Sequence, residues 1–135
     1  MAKFFSQEWC DLYKEEINKS PDYEESAKTW EGDFFFIMTV GGPVTEDGYL
    51  YMDLFHGKCR SCEVVTDKTK FKPAFLISAP YGVWKKIATK QLDFIKALVT
   101  KQASLKGDMA KIMRYVKASN ELVNCVLRVP TDWFD

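Results

Sequence analysis

The chain has 135 residues, of which 47% are hydrophobic and 15% aromatic, and nineteen basic residues balance nineteen acidic ones. This length suits one domain around a single core, and the apolar content excludes a disordered chain. Because nucleic-acid-binding proteins need a basic excess to hold phosphates, we expect no nucleic-acid partner.

The N-terminus reaches the acidic residues Glu8 and Asp11 before a signal-peptide core could form. The chain has no apolar run near the roughly 20 residues that cross a bilayer, and no peroxisomal tripeptide at its C-terminus. Four cysteines without a secretion signal are expected to stay reduced. We therefore expect a soluble, cytoplasmic, single-domain protein without a transmembrane segment.

Two helices are predicted at the N-terminal end. Ser6 can cap the first, whose apolar positions share one face. These positions are Trp9, Leu12, Tyr13 and Ile17. Ser20 and Pro21 suit the cap and first residue of a second helix, which should end near Trp30 with Gly32 in the following turn. Both helices are expected to cover the sheet.

Four strands are predicted in the middle of the chain. The run Phe34–Val40 is short, apolar and aromatic, which indicates a central strand buried on both faces. Tyr49–Phe55 alternates, which predicts a half-buried strand paired antiparallel to the first. Cys62–Thr66 can form a third, shorter strand. Ala74–Ala79 gives another central strand, closed by Pro80. In the alternating strand Tyr49–Phe55, the side chains that point to one side are Leu50, Met52 and Leu54.

The C-terminal part alternates between helices and one edge strand. A helix is predicted over Tyr81–Thr89, a second from Leu92 to Val99, and an edge strand within 101–107. Asp108 can cap a further helix, and Ser119 a last short one. The apolar stripe of the helix after Asp108 consists of Met109, Ile112, Met113 and Val116. The sequence thus predicts an α+β fold with about five mostly antiparallel strands and helices on one face.

His56, Cys59 and Cys62 form the sharpest local pattern in the chain. Two thiols at this spacing and a nearby imidazole could hold a soft metal, but a fourth ligand would have to come from distant Cys10 or Cys125. A redox role needs Cys59 at a helix N-terminus, whereas the pattern places it in a loop. We predict ordinary reduced thiols, no metal and no cofactor.

A catalytic site is not predicted. His56 has no second histidine for a proton relay, and the chain lacks a nucleophile elbow, a phosphate-binding loop and a dinucleotide motif. Asp53 and Glu63 could approach each other across neighbouring strands, but on a face that we expect to be solvated. The methionines could either line an adaptable cavity or fill gaps in an ordinary core.

The segment around Leu105–Asp108 resembles the sterol carrier protein type 2 family. A strand end at these residues, followed at once by a Met-rich helix, is similar to the C-terminal half of that family, and the upstream Ala79–Trp84 places a tryptophan on a helix just after a strand. The resemblance spans residues 33–128, with 1–32 as an N-terminal helical cover. It implies a small domain enclosing an apolar cavity for lipid-like ligands.

The function expected on this basis is that of a non-enzymatic carrier of a fatty acid, an acyl-CoA, a sterol-like molecule or an isoprenoid lipid. The alternative is an accessory or dimerisation domain with a closed core, and a homodimer is possible. The residues predicted to line the cavity are apolar and come from the sheet and from the C-terminal helices. They are Leu50, Met52, Leu54, Phe75, Ile77, Trp84, Ile95, Leu98, Met109, Ile112, Met113 and Val116.

Overall fold

The computed structural model of the protein describes residues 1–134. In chain order its elements are β1 (Ala2–Lys3), α1 (Gln7–Lys19), α2 (Pro21–Ser26), β2 (Glu31–Thr39), β3 (Gly48–Phe55), β4 (Lys58–Val65), β5 (Phe75–Pro80), α3 (Tyr81–Ala88), α4 (Phe94–Val99), β6 (Ser104–Lys106), α5 (Met109–Arg114), α6 (Val116–Leu127) and β7 (Thr131–Asp132). Among these residues, no helix is long and apolar enough to cross a bilayer.

Five strands form the main sheet, in the order β4-β3-β2-β5-β6. Neighbouring strands run antiparallel except β2 and β5, which are parallel. The prediction that the aromatic run after Gly32 forms the central strand is confirmed. Successive side chains of a strand point to opposite faces, so Phe34 and Met38 join the core beneath the helices while Phe35 joins a smaller cluster on the other face.

The helices lie on one face of the sheet, since the main core combines helix residues with only one face of the strands. The smaller cluster on the other face contains no helix residue among those described; the ring of Phe71, from the loop after β4, stacks on Tyr51 there at a centroid distance of 3.7 Å. The predicted α+β arrangement, a mostly antiparallel five-stranded sheet with helices on one face, is confirmed.

The N-terminal helices begin as predicted but the second ends earlier. The Ser6 hydroxyl accepts from the Trp9 amide at 3.2 Å, and the Ser20 hydroxyl accepts from the Tyr23 amide at 3.1 Å. However, α2 ends at Ser26. The prediction that it reaches Trp30 is wrong, because pairing of Glu31 and Gly32 with β3 extends the central strand toward the helix.

The C-terminal helices differ from the predicted ones in two places. The helix predicted from Leu92 begins at Phe94, with Asp93 as its cap, and the helix after Asp108 is shorter than predicted. The Asp108 carboxylate accepts from the Lys111 amide at 3.1 Å, which confirms the cap of α5. The helix ends at Arg114, and Tyr115 (φ −119°, ψ 37°) separates it from α6. Ser119 therefore lies inside α6 and caps nothing, contrary to the prediction.

The two ends of the chain meet in a short parallel pairing that the sequence did not predict. Ala2 pairs with Thr131 and Lys3 with Asp132. The indole of Trp9 donates to the Thr131 hydroxyl at 3.0 Å. This contact ties the C-terminal tail to α1.

Candidate ligand-binding cavity

An apolar cavity lies between the inner face of the sheet and the helices. Water-sized molecules could centre in about 100 Å³ of it, and all the space between its walls, including space open to solvent, amounts to about 870 Å³. Its walls come from residues 4–5, from β2 and β3, and from all six helices or their ends. The lining residues are Phe4, Phe5, Trp9, Tyr13, Tyr23, Trp30, Phe34, Phe36, Leu50, Met52, Leu54, Trp84, Ile87, Ala88, Phe94, Ile112, Tyr115, Ala118, Ser119, Leu122, Val123 and Val126.

A continuous series of aromatic contacts runs along this wall. Trp30 stacks on Phe34 with ring centroids 5.7 Å apart, and Phe34 stacks on Phe36 at 5.1 Å. Phe36 meets the edge of Trp84 at 5.7 Å, and Trp84 contacts Phe5 at 6.3 Å. Because Phe34 and Phe36 are two positions apart on β2, their rings lie on the same face and form a ledge along the cavity.

Most of the lining tryptophan and tyrosine side chains have their polar ends bonded to the protein. Three indole N–H groups donate to acceptors: Trp84 to the Ile37 carbonyl at 3.0 Å, Trp30 to the Gly32 carbonyl at 2.9 Å, and Trp9 to Thr131. The Tyr13 hydroxyl donates to the Leu122 carbonyl at 2.9 Å. The apolar faces of these rings, and not their bonded polar ends, therefore line the cavity.

Charged side chains are absent from the lining, which contains no Asp, Glu, Lys, Arg or His within residues 1–134. Burial and the neighbouring Cys125, Cys62 and Cys59 thiols raise the pKa of Tyr13 well above its ordinary value. Burial likewise raises the pKa of Tyr23. Both phenols thus remain neutral, and the cavity offers no charge to a ligand.

The partial exposure of lining residues along α4 and α6 indicates that the cavity opens there. Most lining residues are buried, and the partly exposed ones are concentrated on these two helices and on Tyr115, which directly precedes α6. They are Phe94, Tyr115, Ser119, Leu122 and Val123, joined by Phe5 and Phe36. The Tyr115 hydroxyl forms an exposed hydrogen bond of 2.8 Å with Thr29, so its ring spans from the cavity to the surface.

The predicted lining residues fall into three groups. Leu50, Met52, Leu54, Trp84 and Ile112 line the cavity. A second group belongs to the surrounding core without lining the cavity: Phe75, Ile77 and Leu98 are buried there, and Ile95 and Met109 pack against it. The third group, Met113 and Val116, lies on the surface, with 45% and 36% of the residue exposed.

The placement of Met113 and Val116 corrects the prediction that they face the sheet. That prediction assumed one regular helix from Met109 to Val116, in which positions three, four and seven apart share a face. The break at Tyr115 ends this periodicity. Ile112 remains on the inner side, and Tyr115 replaces Met113 as the next residue to reach the cavity.

Sequence reasoning also missed Phe34 and Phe36 on β2 and two larger parts of the wall. The sequence predicts only a helical cover at the N-terminal end, but its aromatic residues Trp9, Tyr13 and Tyr23 line the cavity. The density of aromatic residues in the first thirty positions was the available signal. On α6, Leu122 and Val126 are four positions apart, a helical spacing that would have indicated an inward face.

His56 and the two cysteines of the sharpest sequence pattern do not converge. His56 (φ 48°) and Gly57 (φ 80°) form the two-residue turn between β3 and β4, and the positive φ of both is typical of a type I′ hairpin. The imidazole lies 2.6 Å from the Glu31 carboxylate and stacks on Phe55. No group of three or more potential metal ligands exists in the described part of the chain.

Cys59 and Cys62 lie in β4, which corrects the prediction of a loop at Cys59. Opposite β3, Leu54 pairs with Cys59 and Asp53 with Ser61, so Arg60 is an extra residue. Such a bulge lets residues three apart point to the same face, and both thiols are buried in the main core. Burial raises the pKa of Cys59 to about 12, and contact with Cys10 together with burial raises the pKa of Cys62.

Comparison with known proteins identifies a family over most of the chain. The SCP-2 sterol transfer family matches residues 12–119. Among curated proteins, none matches the chain significantly.

Two solved structures have the same fold as this chain and are identical to it at about a quarter of the aligned positions. A crystal structure of sterol carrier protein 2 has a TM-score of 0.86 at 27% identity and covers 94% of this chain and 99% of its own. The second is the solution structure of a conserved hypothetical protein from Thermus thermophilus, described as possibly a sterol carrier protein. It has a TM-score of 0.87 at 26% identity and covers 98% of this chain and 93% of its own. At 12% identity, a ubiquinone synthesis protein, UbiJ-SCP2, shares the fold, with a TM-score of 0.56 over 90% of this chain and 89% of its own.

Proposed function

The chain belongs to the SCP-2 sterol transfer family, and from this membership and the apolar cavity we propose that it binds one apolar lipid and carries it without changing it chemically. The ligand classes that fit are fatty acids, acyl-CoA, sterol-like molecules and isoprenoid lipids. An acyl-CoA would place its acyl chain inside and its polar group at the open side between α4 and α6, where the lining residues are partly exposed.

The observation that carries this proposal is that most indole N–H and phenol O–H groups of the lining side chains are hydrogen-bonded within the protein. Buried tryptophan and tyrosine side chains usually direct their N–H and O–H groups to a partner. Here those of Trp9, Tyr13, Trp30, Trp84 and Tyr115 are taken by the protein itself. A ligand in the cavity therefore contacts mainly ring faces and aliphatic side chains, which favours an apolar molecule over one that needs specific hydrogen bonds.

The buried thiols support carriage over catalysis. A cysteine nucleophile acts as the thiolate and needs a lowered pKa, whereas the pKa values of Cys59 and Cys62 are raised. Neither sulfur lines the cavity. All four cysteines are free and buried, which suits a reducing compartment, and on that ground we propose an intracellular location.

The free volume sets a limit on affinity. Burying sixteen CH₂ groups contributes on the order of 10 kcal/mol, and association costs roughly 4–15 kcal/mol. The space of about 100 Å³ open to water-sized molecules is smaller than the cavity of about 150 Å³ that holds benzene in a well-studied engineered protein. Long ligands must therefore displace side chains such as Met52 and Ile112, which suits weak binding and fast exchange.

The test compares filling the cavity with enlarging a surface side chain. Ala118 lines the cavity and is buried, whereas Met113 does not line it and is exposed. We expect Ala118→Phe to lower the affinity for a fluorescent fatty acid by at least about tenfold, and the matched control Met113→Phe to leave it unchanged. The ligand should also raise the unfolding temperature of the parent protein, since ligand at 100 times Kd adds about 2.7 kcal/mol.

The small free volume favours a second candidate, the accessory or dimerisation domain with a closed core. In that case the parent protein would bind neither the fatty acid nor co-purifying lipid in native mass spectrometry. Ala118→Phe would then overpack the core and cost roughly 1–3 kcal/mol. Native mass spectrometry would show the subunit count in the same measurement.

A further inference from the structure

The Tyr23 side chain combines burial with a polar group that no other protein atom holds. It is 1% exposed and lines the cavity from α2. Its main-chain amide and carbonyl are bonded to the Ser20 and Ser26 hydroxyls. Its phenol hydroxyl, in contrast, has no hydrogen-bond partner among residues 1–134, unlike the hydroxyls of Tyr13 and Tyr115 in the same wall.

The space of the cavity reaches this hydroxyl. Among the described residues, every buried polar side-chain atom that is closed off from open space has a hydrogen-bond partner. The Tyr23 oxygen has no partner, so it borders open space, and the open space along this side chain is the cavity. An unpaired hydroxyl in apolar surroundings forgoes free energy that a partner would supply. The position therefore suits one polar atom of a bound molecule.

We propose that the Tyr23 hydroxyl binds a neutral hydroxyl or carbonyl oxygen at the inner end of an otherwise apolar ligand. This subsite rests on the proposed carrier function and narrows its ligand class. The partly exposed lining residues lie on elements other than α2. An oxygen bonded to Tyr23 would therefore be enclosed by the protein, with the apolar remainder of the ligand extending toward the opening.

The bound oxygen has to be neutral. Burial is the main cause that raises the pKa of Tyr23, so the phenol keeps its proton and can donate a hydrogen bond. The lining within residues 1–134 contains no basic side chain, and a carboxylate buried without a cation is strongly disfavoured. A fatty acid or acyl-CoA would therefore leave its charged group at the opening without using Tyr23, whereas an alcohol or a ketone can enter with its oxygen first.

Ser119 carries the other unbonded hydroxyl of the wall. It lies on α6, its side chain has no hydrogen bond to a described residue, and it is partly exposed, so water can bond to it. A ligand oxygen at Ser119 would exchange one bond to water for another and gain little. At Tyr23 it would meet a hydroxyl enclosed in apolar surroundings, so Tyr23 is the position that selects the ligand.

The test measures displacement of the fluorescent fatty acid by octan-1-ol, octan-2-one and 1-chlorooctane. The chloride is similar in size but a very weak acceptor, so its Kd serves as the reference. We expect Tyr23→Phe to weaken the alcohol and the ketone by about three- to tenfold relative to the chloride, the range of one neutral hydrogen bond. The matched controls are Tyr115→Phe, which removes a hydroxyl bonded to Thr29 at the surface, and Ser119→Ala. Both should keep the ratios of the parent protein.

Unfolding temperatures without ligand provide a second measurement. Tyr23→Phe removes an unpaired group and should leave the midpoint unchanged or raise it, whereas Tyr13→Phe removes the bond to the Leu122 carbonyl and should lower it. An equal fall in both variants would show that Tyr23 is bonded within the protein, which overturns the subsite. Intact probe binding with unchanged ratios in Tyr23→Phe would overturn the subsite alone. Failure of the parent protein to bind the probe or any octyl compound would overturn the carrier function, and the subsite with it.

Discussion

Ile112 and Met113 are adjacent in sequence but lie in different environments. Ile112 is 2% exposed and lines the cavity, whereas Met113 is 45% exposed. The difference follows from the break after Arg114: Tyr115 leaves helical geometry and its ring packs edge-on against Trp30 at 5.0 Å. The inner wall at this point therefore consists of Ile112 and Tyr115, and Met113 is available to solvent.

These environments predict different costs of truncation. Removing most of a buried aliphatic side chain costs about 2–5 kcal/mol, and Ile112→Ala should fall near the lower end because one side of Ile112 meets empty space. Met113→Ala should change the free energy of unfolding by no more than about 0.5 kcal/mol, as surface substitutions do. Urea denaturation of both variants measures this. Equal destabilisation would show that Met113 is buried in solution.

Features that depend on local chemistry could be predicted from the sequence. Ser6, Ser20 and Asp108 each precede an apolar helical pattern, and a side-chain oxygen at that position satisfies a free amide. The break at Tyr115 could not be predicted, because Arg114, Tyr115 and Val116 include no helix breaker. It depends on contacts of Tyr115 with Trp30 and Thr29, more than eighty positions earlier.

The hairpin between β3 and β4 fits closely against α2. A Cβ atom on Gly57 would lie 2.7 Å from the Glu24 carbonyl oxygen, and its φ of +80° disfavours side chains. Beside it, Lys58 forms an ion pair with the Glu24 carboxylate at 2.5 Å. The hairpin and α2 therefore fix one another's position at the edge of the core.

This arrangement predicts opposite effects for two Gly→Ala substitutions. Gly57→Ala should destabilise the protein by more than about 1 kcal/mol, because it adds both backbone strain and a clash with a main-chain oxygen. Gly82 lies in α3 with nothing within 4 Å of the added Cβ, so Gly82→Ala should stabilise by about 0.5–1 kcal/mol. Thermal unfolding compares the two. A neutral Gly57→Ala would mean that the hairpin is not held against α2.

At the scale of elements, the sequence predicted the strands of the sheet better than the cavity. Alternation and aromatic content are properties of single strands, so the central position of β2 and the pairing with β3 could be inferred. The cavity wall combines residues 4–5 with α6, more than one hundred positions later. No single periodic pattern contains that information, and the bulge at Arg60 similarly depends on the register of two strands.

The whole molecule keeps a group of neutral titratable side chains in its core. Tyr13, Tyr23, Cys59 and Cys62 all have raised pKa values: contact with Cys10 is the largest cause for Cys62, and burial is the largest cause for the other three. They come from α1, α2 and β4, so the group spans the contact between the N-terminal helices and the edge of the sheet. In the unfolded chain each would return to its ordinary pKa.

These shifts predict that stability falls in alkaline solution. A group whose pKa is higher in the folded state holds its proton longer there, so its contribution is complete below the unfolded pKa and is lost as the pH rises toward the folded one. For Cys59 this range begins near pH 9 and extends to about 12. Within its own range, which begins near pH 10 for the tyrosines, each such group should lower the free energy of unfolding by about 1.4 kcal/mol per pH unit.

The measurement is urea denaturation from pH 7 to above pH 10, in the parent protein and in Cys59→Ala. The variant can be less stable at every pH, but its stability should fall less steeply above pH 9, by about 1.4 kcal/mol per unit. All other titratable groups are common to both proteins, so the difference between the two curves isolates the thiol. Parallel curves would show that Cys59 ionises as easily in the folded protein as in the unfolded chain, which would place water in the contact between α1 and β4.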